Sequence, residues 1–271
     1  MIQDIKDHKY DLYFKNLKPN ENDIILCYKK NKILLNEDES FIKYSDVLNK
    51  NVIYGFMVDE KPYFILLDDI SKEEFDVAIF REIKPSYKGF ILITGYHLYN
   101  FYINNKFCGR CGNQFIHSTN LRSLICNCGN EIFPTISPAV IVGLLNKNHD
   151  KILLTKYQKG HGNYALVAGY NEIGETLEDT IKREVLEEVG LHVKNIKYYK
   201  SQPWGLTSTI LSGFWADIDD ELECLKVDNN ELKFAKWFSK DEIDIINDGA
   251  SLTREMIDYF KNGMNIDLWC D

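Results

Sequence analysis

At 271 residues the chain exceeds one average domain, and two or three units are expected. Its 45% hydrophobic and 27% charged residues fit an ordinary soluble globular protein, and 13% aromatics suffice for large cores and for platforms that stack on bases. A formal net charge of −9 argues against a general nucleic-acid binder, so a polyanionic substrate has to be met by metal and a few local cations.

The first twenty residues, with Asp4, Lys6, Asp7, His8, Lys9 and Asp11, contain no apolar core of a signal peptide. Strands are predicted at Asp23–Tyr28, Val52–Val58 and Tyr63–Leu67, and a helix at Ser86–Asn105. Within that helix lies the most apolar stretch, Gly89 to Ile103, which is too short for a membrane span and carries His97 and Asn100. A cytoplasmic protein with no membrane partner is expected, and residues 1–104 are read as a mixed α+β domain.

Cysteines are unevenly spread: Cys27, Cys224 and Cys270 are isolated and read as packing or incidental residues. Cys108, Cys111, Cys126 and Cys128 instead fall within 21 residues, as two knuckles with 14 residues between them, room for a short hairpin. A glycine after each pair permits the tight turn that aims backbone N–H groups at sulfur. Four thiolates in tetrahedral array suit Zn²⁺, and a cytosolic setting favours metal over disulfide. Such a closed site is structural and contributes roughly 10–16 kcal/mol of apparent binding energy to a segment too small for its own core. The second knuckle has one intervening residue where ribbons usually have two. Residues 105–132 are read as this ribbon.

From Pro134 on, strands are predicted at Ala139–Leu145 and Lys151–Lys156, around a polar turn at Asn146–Asp150. Thr176 followed by Asp179 predicts a capped helix start, and Gly190 suits the position just past its end. At about 100° per residue from Leu177, Ile181 falls near ~40° and Val185 near ~80°, a narrow apolar stripe. Glu184 lands near ~340°, Glu187 near ~280° and Glu188 near ~20°, so three carboxylates share one arc and Glu188 sits inside the stripe. Clustered carboxylates repel, and a partly buried one must be paired, protonated or bound to a hard cation such as Mg²⁺. Strands near Ile196–Lys200 and Ile210–Ala216 and a last helix at about Arg254–Asn262 complete an order that fits a mixed sheet between helices, an α/β/α sandwich.

Residues 169–191 resemble the Nudix box at all nine specified positions: Gly169, Glu175, Arg183, Glu184, Val185, Glu187, Glu188, Gly190 and Leu191. Preceded by a four-cysteine ribbon, the box is similar to that of the NAD(H) diphosphatase (NADH pyrophosphatase) family. Ser201-Gln202-Pro203-Trp204 and the segment from Glu231 to Phe238 also look like family segments, so the resemblance covers roughly residues 88–260. Gly205, Leu206 and Thr207 stand where the family has Pro, Phe and Pro, in the segment associated with dinucleotide preference.

The resemblance implies an α/β Nudix domain over residues 133–271 that hydrolyses the diphosphate of NADH or NAD⁺ to NMN(H) and AMP. ADP-ribose, ADP-sugars, dinucleoside polyphosphates and NAD-capped RNA are the alternative substrates. It also implies Mg²⁺ or Mn²⁺ held by Glu184, Glu187, Glu188 and Glu231, with Arg183 orienting a glutamate and Glu187 or Glu188 as base. Glu175 would be a secondary metal or helix-anchoring group. Phe133 and Tyr170 either stack on a base or belong to the core. Ser201, Gln202, Pro203 and Trp204 form a loop lining the nucleotide pocket or, alternatively, a turn with a core tryptophan. Thr253, within Ser251–Arg254, would touch substrate. A homodimer is expected on the same ground.

Overall fold

The computed structural model describes residues 1–158, 164–220 and 224–263, and Cys270 lies outside them. The chain divides into two compact units: residues 2–136 with 205–208, and residues 137–204 and 209–271 with Met1.

In the first unit, β1 (Tyr10–Asp11), β2 (Ile24–Lys29), β3 (Lys32–Leu35), β4 (Ile42–Lys43), β5 (Val52–Val58), β6 (Lys61–Leu66) and β7 (Glu73–Asp76) precede α1 (Tyr87–Asn104). They form one sheet in the order β1-β5-β6-β2-β3-β7, with β4 also on β2. Alternation along β2 sorts its side chains: Ile25 and Cys27 join one core with Tyr54, Phe64 and Leu66. Tyr28 points the other way and donates its hydroxyl hydrogen to Leu92 O on α1 (2.7 Å). Cys27 is thus a packing residue, whereas Cys224 is exposed. The cysteine segment adds β8 (Ile116–His117), β9 (Leu124–Ile125) and β10 (Glu131–Ile132), an antiparallel trio in the order β10-β9-β8. The hairpin expected between the knuckles is β8–β9, with Ile116 opposite Ile125.

The second unit contains β11 (Ser137–Leu145), β12 (Lys151–Tyr157), β13 (Val167–Tyr170), α2 (Leu177–Val189), β14 (Val193–Trp204), β15 (Thr209–Ile218), β16 (Leu232–Ser239) and α3 (Leu252–Lys261). The sheet order is β14-β15-β11-β12-β16, with β13 also on β11. β11 and β15 are parallel and the other pairs antiparallel. Pleating splits the central strands between two helices. Val140, Val142, Leu144, Leu153, Phe214 and Ala216 pack with Ile181, Val185 and Val189 of α2. Ile141, Leu145, Ile152, Leu154 and Trp215 pack with Leu252, Met256, Ile257 and Phe260 of α3. This is the α/β/α sandwich the sequence predicts; complete burial of each large apolar side chain contributes about 1.5–3 kcal/mol.

One expectation is corrected. Ser201–Trp204 are neither loop nor turn but the end of β14, paired in register with Thr209–Ser212. Pro203, which lacks an N–H, is tolerated because β14 is an edge strand. The turn that follows is Gly205–Ser208.

Helix α2 begins as its sequence predicts. Thr176 Oγ1 accepts from Asp179 N–H (3.1 Å), and Asp179 accepts from the Thr176 N–H and hydroxyl. Gly190 closes the helix at φ 71°, in the left-handed region. Thr176→Ala should lower unfolding free energy by about 1 kcal/mol, read as a shifted denaturant midpoint with an unchanged slope.

Candidate functional site

The three helical carboxylates differ in exposure in the order their angular positions dictate. Glu188, inside the apolar stripe, is 2% exposed; the side chain of Glu184, at the stripe's edge, is 12% exposed, and that of Glu187, farthest away, 60%. Burial pushes the Glu188 carboxyl up to about 8, with the charges of Glu184, Glu231 and Asp228 adding to the shift and a Tyr157 hydrogen bond opposing it. Burial also raises Glu184, against the Arg183 guanidinium beside it. Glu231, just ahead of β16, belongs to a distant segment, and its charge adds to the upward shifts of Glu184 and Glu188.

Arg183 organises these groups. Its Nε and Nη2 form a fork on Glu175 (2.6 and 2.9 Å), while Nη1 donates to Glu184 (2.7 Å) and Glu187 (3.1 Å). Nη2 also donates to the Tyr170 carbonyl (3.0 Å). The fork holds Glu175 down at about 2, helped by the Glu172 N–H and Thr180 hydroxyl. Glu175 is thereby the anchor of the loop before α2. Gly169 of β13 is required by close approach: a Cβ there would land on the Glu184 carboxylate.

This donor set fits a hard divalent cation. All the candidate ligands are carboxylate oxygens, and Glu188 Oε2 is buried without a hydrogen-bond partner among the described residues. Raised carboxyls close together are what an added positive charge relieves. Two partners of Glu188 have no signal in the sequence: the Tyr157 hydroxyl donates to its Oε1 (3.1 Å), and the Asp228 N–H donates to its carbonyl (3.0 Å). Tyr157 reads only as a strand residue.

Of the residues expected at a substrate pocket, Tyr170 is 51% and Phe133 53% exposed, so neither is core. The Tyr170 hydroxyl lies 3.3 Å from Thr209 Oγ1. Gln202 is fully buried: its amide donates to Ala250 O (2.8 Å) and accepts from Leu252 N–H (2.7 Å), fastening the start of α3 to β14. Ser201 and Pro203 are exposed and Trp204 partly buried. Thr253 lies in the first turn of α3, whose N-cap Ser251 accepts from Arg254 N–H (3.5 Å).

In the first unit, the four knuckle sulfurs lie within 4.8 Å of one another. Cys108 and Cys128 Sγ are 3.7 Å apart, and Cys111 and Cys126 Sγ 3.4 Å. A tetrahedral ion with Zn–S of about 2.3 Å needs edges of about 3.8 Å, so the cluster fits one. Backbone turns close each knuckle, with Gly112 N–H on Cys108 O and Gly129 N–H on Cys126 O. Burial raises the Cys108 thiol while N–H donors from Arg110 and Asn130 lower it, and Cys126 beside it is pushed up instead, as when close thiols titrate together. The short second spacing is accommodated, since Cys126 N–H bonds to Asn130 O (2.8 Å) within the turn. Cys108→Ser should lower the melting temperature by several degrees and release one metal equivalent per chain, read by thermal denaturation and elemental analysis of dialysed, reduced protein.

Residues 135–260 match the model of the NUDIX domain. The NAD-capped RNA hydrolase NudC of Photorhabdus laumondii is 34% identical over 182 residues, 66% of this chain and 69% of that protein. The NAD-capped RNA hydrolase NudC of Pectobacterium atrosepticum is also 34% identical, over 68% of this chain and 70% of its own length. Among solved structures, a Nudix hydrolase from Nitrosomonas europaea is 28% identical and matches 58% of this chain and 92% of its own, with a TM-score of 0.47. One third identity over more than two thirds of these relatives extends well outside the box itself, and on that ground this chain belongs to the NAD(H) diphosphatase (NudC) family of the Nudix hydrolases.

Proposed function

We propose that this protein hydrolyses the diphosphate bond of NADH or NAD⁺, releasing NMNH or NMN together with AMP. The carboxylate arc of α2 carries the reading, with a buried Glu188 oxygen unpartnered among the described residues at its inner end and the charge of Glu231 acting from another segment. Glu184, Glu187, Glu188 and Glu231 would hold Mg²⁺ or Mn²⁺, and Cys108, Cys111, Cys126 and Cys128 would hold Zn²⁺ in a structural role. A divalent cation in this place supplies neutralisation of phosphate charge and acidification of water. Arg183 keeps Glu184 and Glu187 aimed, and Glu187 or Glu188 takes the proton as the water oxygen bonds to phosphorus and the bridging P–O bond breaks. Either Tyr170 or Phe133, each with a half-exposed ring, would stack on a base.

In this reading residues 1–104, 105–132 and 133–271 are an N-terminal domain, a zinc ribbon and the catalytic domain. The enzyme would work as a cytoplasmic homodimer; no helix among the described residues is long and apolar enough to cross a membrane. A second reading is favoured by the relatives' name, NAD-capped RNA hydrolase: the same centre would remove an NAD cap from RNA, with binding of the RNA body as the discriminating measurement.

Glu187→Gln and Glu188→Gln should each cut turnover by roughly 10²–10³ with the fold retained, because each removes charge complementarity where negative charge develops. Steady-state rates at saturating Mg²⁺, alongside circular dichroism, check this; near-normal rates in both would remove the assignment. In a panel of NADH, NAD⁺, ADP-ribose and diadenosine polyphosphates at equal concentration, NADH or NAD⁺ should show the highest kcat/KM, with a nicotinamide mononucleotide and AMP as products. A preference of about tenfold or more for another member, roughly 1.4 kcal/mol of transition-state stabilisation, overturns the dinucleotide reading but not the hydrolase reading.

A further inference from the structure

Tyr157 is the last residue of β12, and the ladder to β16 slips beside it: Lys156 faces Phe234, but Tyr157 faces Leu232, leaving Lys233 unmatched. Such a bulge re-aims the side chain next to it. Here the ring packs against the core beneath α2, and its hydroxyl arrives 3.1 Å from Glu188 Oε1 and 3.3 Å from Ala168 O. A phenol has one hydrogen to give, and the hydroxyl lies nearer the Glu188 oxygen than the Ala168 carbonyl. Ala168 directly precedes Gly169, whose backbone lies against the Glu184 carboxylate. The hydroxyl therefore sits where β12, β13 and α2 meet. On the other side of Glu188, its carbonyl accepts from the Asp228 N–H (3.0 Å), just ahead of the segment that brings in Glu231.

The two Glu188 oxygens are consequently not equivalent. Oε1 is held by Tyr157, whereas Oε2 is buried and has no hydrogen-bond partner among the described residues. A buried carboxylate oxygen left open in this way is costly unless something positive meets it. We propose that Tyr157 is a positioning residue: by occupying Oε1 it fixes the Glu188 rotamer and selects Oε2 as the single oxygen offered to the divalent cation. The proposal rests on the reading of Glu188 as a metal ligand, and its partner is a group with no role in the chemistry itself. Outer partners of ligating groups generally act in this manner, by orienting the ligand and restricting how it binds.

Tyr157→Phe keeps the ring and removes only the donor, so packing is preserved. Purified full-length protein titrated calorimetrically with Mn²⁺ alone should bind the ion about tenfold more weakly than wild type at this site, the lower end of the usual effect of such partners. Because Tyr157 acts through Glu188, the same substitution in a Glu188→Gln background should change Mn²⁺ affinity by less than about twofold. A purely structural tyrosine would instead shift thermal stability and leave Mn²⁺ affinity alone. The proposal is overturned if Tyr157→Phe binds Mn²⁺ within about twofold of wild type, or if its effect persists undiminished in the Glu188→Gln background. If Glu188→Gln by itself leaves Mn²⁺ binding unchanged, the ligand reading fails first and separately, and the proposal falls with it.

Discussion

One guanidinium holds the site in register. Arg183 grips Glu175 in front of α2 with two nitrogens, reaches Glu184 and Glu187 with a third, and bonds the Tyr170 carbonyl at the end of β13. A loop, a strand and a helix are thereby fixed through one planar group, which a lysine ammonium, being a point charge, could not reproduce. The geometry also separates two kinds of carboxylate. Glu175 is spent on the fork and stays ionised, while Glu184 shares a single nitrogen with Glu187 and retains capacity for another partner.

The remaining carboxylates are arranged by depth. Along α2 the apolar stripe sinks Glu188 into the seam between helix and sheet, leaves Glu184 at its border and sets Glu187 in solvent. A buried, partly uncompensated charge is costly, and proteins keep such groups where a ligand or ion supplies the compensation. Gly169 belongs to the same arrangement, because the strand must pass within reach of Glu184 with nothing between them.

The two candidate metal centres obey opposite rules. Four sulfurs in a closed tetrahedral cluster leave no position for a reacting water, which suits a soft-donor structural ion in a segment with only three two-residue strands. The oxygen cluster of α2 is hard, asymmetric and open toward solvent at Glu187, as a cation shared with substrate phosphate requires.

Much of this is legible in the chain itself, for a local reason. Helical periodicity depends on residues three and four apart, so α2, its Thr176–Asp179 cap and its carboxylate arc follow from one short stretch, as do the cysteine knuckles. Strand ends are less local. Ser201-Gln202-Pro203-Trp204 reads as a loop or a turn, but β14 lies at the sheet edge, where a proline is tolerated, and so the strand runs on through Trp204. The two ends of the Gln202 amide meet α3 about fifty residues later, a pairing that no spacing rule encodes. Tyr157 is in the same class, since a bulge opposite β16 sets the aim of its hydroxyl. The sequence by itself determined which carboxylates share a helix face and which thiols share a turn. Only the tertiary structure decided which of those groups are buried, which are paired, and by whom, because burial and pairing depend on segments brought together by the folded sheet.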